Sequence, residues 1–170
     1  MTASFARSFV EAPFCLVRKV ISVFALLAGV AVLVMIGITV TDVILRIFNI
    51  GIVGAYDIVR VSGVIAISCG LPYVTAVKGH IAIEFFYQNL NRTGRILVDT
   101  LFRLAALTLF GLLIHRNIRY GLSLLASGEV TPTLQIPVFW IPFLISFNLA
   151  LVLIAIFYHL LRPGREMIKP

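Results

Sequence analysis

Val20–Thr41, VISVFALLAGVAVLVMIGITVT, is 22 consecutive residues without a charge. As a helix rising about 1.5 Å per residue it is roughly 33 Å long, enough to cross a hydrocarbon core of about 30 Å. It is longer than the apolar region of a signal peptide and lacks an A-x-A cleavage site, so it reads as a retained span. The whole chain agrees with that solvent. It is 61% hydrophobic and 12% charged over 170 residues, where a soluble domain is nearer half apolar and a quarter charged. A soluble fold of this length has too little interior to hide that surface.

Three weaker runs follow. Val61–Val77 is uncharged and carries Pro72, which a membrane helix tolerates near its end. Leu104–Ile114 is uncharged but short, so its helix must continue past Asp99 and Arg103 on one side and Arg116 on the other. Asp99 and Arg103, four apart, share a face. Val130–Leu161 is uncharged, but Pro132, Pro137 and Pro142 interrupt its first part. The expected fold is an all-α integral membrane domain over residues 1–170, with spans at about 20–46, 57–77, 97–118 and 136–160. Two amphipathic segments, about 4–18 and 80–92, are too polar or too short to span and suit the membrane interface. The second holds His80, Glu84, Phe85 and Phe86.

Four spans put both termini on one side. That side holds Arg7, Arg18, Lys19, Lys78, Arg92, Arg95, Arg103, Arg162, Arg165 and Lys169, against Arg46, Arg60, Arg116 and Arg119 on the other. The excess predicts cytoplasmic termini. The net charge of +7 therefore reads as topology and lipid-headgroup contact rather than nucleic-acid binding, since the basic residues sit in breaks between apolar runs.

Several chemistries lack their residues. Cys15 and Cys69 are far apart, without a C-x-x-C pair. His115 and His159 fall at opposite predicted surfaces, which is wrong for paired haem ligands. No cluster of His, Cys and carboxylates suits a metal. No span carries a carboxylate near its middle, where a coupled carrier keeps one. No cofactor and no catalytic residue is expected. A free-standing small carrier or a haem protein remains the alternative.

The candidate site residues gather at the predicted outer surface. Asp42 and Arg46 are four apart at the end of the first span, and Asp57 and Arg60 three apart at the start of the second. Each pair can close on one helical face. They are either helix-end charges in the headgroups or a polar contact for a partner. Glu129, Thr131, Pro132, Pro137 and Trp140 lie in the stretch before the last span, which reads either as a helix entry with a tryptophan anchor or as a shaped outer contact.

Three segments in order resemble one family. They are the charged turn Asp42–Asn49 with an acidic helix start at Asp57; Lys78-Gly79-His80-Ile81-Ala82-Ile83-Glu84; and Gly128-Glu129-Val130-Thr131-Pro132 with Ile136-Pro137-Val138-Phe139-Trp140. The chain is similar to the small, DctQ-like membrane subunit of tripartite ATP-independent periplasmic (TRAP) transporters, with Phe139 as an extra residue between the proline and Trp140. The resemblance implies a scaffold in the bacterial inner membrane. Its partners would be a large elevator-type membrane subunit, which holds the sodium and substrate sites, and a periplasmic binding protein that captures an organic acid. Phospholipids are the remaining expected partner.

Overall fold

The computed structural model describes residues 2–77 and 92–161. They form four helices: α1 (Thr2–Ile47), α2 (Ala55–Ala76), α3 (Arg92–Ser127) and α4 (Trp140–Leu161). Each contains a stretch long and apolar enough to cross a membrane. α1 packs on α2, α2 on α4 and α4 on α3.

Small residues allow these approaches. α2 buries Ser62, Cys69, Pro72 and Ala76, spaced three, four and seven apart along one face. A Cβ at Gly70 would meet Ala28 of α1 at 3.8 Å, and Ala28 and Ala31 are themselves buried. Lipid tails are as apolar as the helices, so such close packing, rather than the hydrophobic effect, is what joins membrane helices. At the end away from the two connecting loops, Ile21, Ala76, Leu151, Ala155 and Tyr158 close a three-helix cluster of α1, α2 and α4. Phe24 and Phe147 join α1 to α4 with ring centroids 5.6 Å apart.

Polar side chains in the spans are mostly satisfied within their own helix. Thr39, Thr41 and Thr108 donate to the carbonyls of Met35, Gly37 and Leu104 at 2.7–2.9 Å. These bonds let a hydroxyl face hydrocarbon without an orphaned donor.

Five helix boundaries differ from the sequence reading by more than one residue, one of them the start of α3, at Arg92 rather than 97. The expected interfacial segment 4–18 is continuous with the first span, as α1 runs unbroken from Thr2 to Ile47. α2 starts at Ala55, behind Gly54. α3 continues past residue 118 to Ser127: Gly121 sits inside the helix against the Phe143 ring, and no proline follows before Gly128. There a left-handed residue (φ 65°) ends the helix with its N–H on the Leu124 carbonyl at 3.1 Å. α4 starts at Trp140 rather than 136, since Pro137 belongs to the preceding hairpin. Pro142 falls in the first turn of α4, where its missing N–H costs no helical bond. The segment 80–92, with His80, Glu84, Phe85 and Phe86, lies outside the described residues apart from Arg92, which opens α3.

Candidate functional site

The two loops at one end of the bundle form a single junction. α1 ends in a Schellman arrangement: Asn49 is left-handed at φ 58°, the Ile50 N–H reaches the Leu45 carbonyl, and the Asn49 N–H reaches that of Arg46, both at 3.0 Å. This turns the chain back towards α2. Asp42, one turn inside α1, then holds the loop. Its Oδ1 accepts the Ile52 N–H at 2.9 Å, and its Oδ2 accepts Arg46 Nε at 2.7 Å.

The second loop is a compact hairpin. Val130 and Pro137 pair across it. The Thr131 N–H donates to the Ile136 carbonyl at 2.9 Å, and the Val138 N–H to that of Glu129 at 3.2 Å. Thr131 is buried, and its hydroxyl accepts the Ile136 N–H at 3.0 Å. Gln135 completes the tip in a left-handed conformation, φ 51°.

Asp57, in the first turn of α2 and fully buried, binds this tip. Its Oδ2 accepts the backbone N–H groups of Thr133 at 2.9 Å and Leu134 at 2.8 Å. Leu134 in turn lies over Gly54, the left-handed residue (φ 84°) capping α2. A Cβ on Gly54 would stand 2.5 Å from Leu134 Cδ2. The backbone angle favours glycine there, and a Cβ would in addition push the Leu134 side chain aside.

The predicted site residues therefore divide. Asp42, Asp57 and Thr131 are internal ties that shape the two loops. The Asp42–Arg46 pair forms. The Asp57–Arg60 pair does not, because the Asp57 oxygen in use is turned to the hairpin backbone, and Arg60 is left exposed. Arg46, Arg60, Glu129, Pro132 and Pro137 present the exposed face of the junction, with Trp140 half-buried at the head of α4. Apolar groups stand beside them: Phe48, Ile50, Val53 and Tyr56 are all exposed. Sequence reasoning missed Gly54, Leu134 and the Thr133 and Leu134 amides. Only Gly54 left a trace, as a glycine three residues before an acid.

Among the described residues no three His, Cys or carboxylate side chains gather to hold a metal. A family model for the DctQ component of tripartite ATP-independent periplasmic transporters matches residues 35–166. That range contains the whole junction and α2, α3 and α4. No curated protein and no solved structure matches the chain.

Proposed function

The chain belongs to the DctQ family, as a multi-pass membrane component of a tripartite ATP-independent periplasmic transporter, and on that premise we propose that it is the non-catalytic scaffold of that transporter. In this reading a larger membrane subunit carries the sodium and organic-acid sites and moves as an elevator against the scaffold. A periplasmic binding protein delivers the substrate to the junction face. The termini lie in the cytoplasm of a bacterial cell, and the inner membrane holds the complex.

The observation that carries this reading is the use made of the buried carboxylates. Asp42 and Asp57 lie at the loop end of the bundle and are engaged by loop backbone N–H groups and Arg46. A coupled carrier keeps an acid free to bind its ion or proton inside the membrane, and these two are committed to structure.

Reconstitution into liposomes tests the proposal. Transport is expected only when this chain, the large membrane subunit and the binding protein are all present. Sodium-driven uptake by this chain alone would contradict it. The interfacial segment carries a separate expectation: Phe85→Asp with Phe86→Asp lowers the yield and melting temperature of the complex, and normal values for both remove that segment from the scaffold.

A further inference from the structure

The second half of α3 carries a polar cluster that the junction does not use. Arg116, Asn117, Arg119, Tyr120 and Ser123 line an open concavity of about 480 Å³. All five lie on consecutive turns of one helix. Two of them already serve the helix. The Asn117 amide donates to the Leu113 carbonyl at 2.9 Å, and the Ser123 hydroxyl to that of Tyr120 at 2.8 Å. Arg116, Arg119 and Tyr120 are exposed. Neither guanidinium is in an ion pair among the described residues, where the one pair is Asp42–Arg46.

These arginines lie inside a candidate membrane span, Thr100–Ser127, whose most apolar stretch has no buried residue. A core of about 30 Å takes about 20 helical residues. Counted from Thr100, the core ends near Arg119, at the boundary between acyl chains and headgroups. An exposed guanidinium at that depth favours an anionic neighbour, because the hydrocarbon on one side of it offers no solvation. Two guanidinium forks and a phenol suit the non-bridging oxygens of a phosphodiester, the anion that the membrane itself supplies at this depth. Leu109 and Leu112, exposed on the same helix seven and four residues before Arg116 and so on the core side of it, supply apolar surface for chains attached to the phosphate.

We propose that Arg116, Arg119 and Tyr120 form a seat for the phosphodiester headgroup of a membrane phospholipid, whose acyl chains run along α3. The site needs no partner subunit, so it stands or falls apart from the scaffold reading.

The test uses the full chain, purified in mild detergent, delipidated and titrated with dihexanoyl phosphatidylglycerol. Native mass spectrometry counts bound lipid, and thermal unfolding follows protection. Saturable binding is expected, with half-saturation raised roughly ten- to hundredfold in Arg116→Gln/Arg119→Gln, the loss of charge-assisted bonds. Unchanged binding overturns the proposal. Equal protection by inorganic phosphate at the same concentration also overturns it, by showing a site for a free anion. A double variant that keeps its lipid but loses a co-purifying membrane partner assigns the arginines to a protein contact and does the same. If the double variant does not purify, Arg119→Lys carries the test. It keeps the charge and loses the fork, so weaker lipid retention is expected and unchanged retention overturns the seat.

Discussion

Asp57 Oδ2 accepts the Leu134 N–H at 2.8 Å, linking the first turn of α2 to a hairpin 77 positions further along the chain. The same oxygen accepts the Thr133 N–H at 2.9 Å. One carboxylate thus sets where the α3–α4 loop sits, and the loop in turn shapes the exposed face of the junction. Removing it with Asp57→Ala leaves two loop donors without their acceptor. The expected result is a lower melting temperature and about tenfold faster proteolysis within residues 128–139, as local opening becomes easier. Asp57→Asn, which keeps an acceptor without the charge, is expected to fall between. Wild-type proteolysis of Asp57→Ala would remove the tie.

Gly54→Ala is expected to destabilise the chain by about 1–3 kcal/mol, through left-handed strain and the collision with Leu134. Leu134→Ala opens space at that contact. In the double variant the Gly54→Ala penalty shrinks, because the steric part disappears and the backbone strain stays. A double-mutant cycle on thermal unfolding measures this coupling, and additive losses would show that the two positions do not touch.

The two arginines of the junction are expected to matter for transport more than for stability. Arg46 is 67% exposed in its pair with Asp42, and such pairs contribute about 0–1 kcal/mol. Arg60 is exposed and unpaired with Asp57. Arg46→Glu and Arg60→Glu should insert into the membrane at normal levels and reduce substrate uptake severalfold. Normal uptake in both would remove them from the docking face.

Cys69 is 1% exposed, and Asn148 Nδ2 lies 3.7 Å from its sulfur across the α2–α4 contact. In a Cys15→Ser background, Cys69 is expected to resist a membrane-permeant maleimide until the helices separate. Asn148→Ala opens that contact, and labelling should accelerate about tenfold. Rapid labelling of the Cys15→Ser protein would mean that α2 and α4 are not packed as described.

Much of this was legible in the residues. The uncharged run Val20–Thr41 announces α1 through length alone, and Asp42–Arg46 pairs as four-residue spacing predicts. Asp57 and Arg60 show where spacing fails. Position on a helix says which groups are able to meet, and the hairpin amides, distant in sequence, compete successfully for the carboxylate. Ser127 as the end of α3 was obscured by Arg116 and Arg119, which look like a boundary because charges leave membranes. The helix instead runs on past them and stops only at Gly128. Leu134 gave no signal, since an exposed leucine in a loop looks the same whether or not a glycine lies under it.

The measurement that bears most directly on the scaffold assignment is affinity purification of the full chain from its native membrane in mild detergent, with co-purifying proteins identified by mass. The account predicts a stoichiometric, multi-span membrane partner. A chain recovered alone or as a homodimer, and active in uptake by itself, would contradict it.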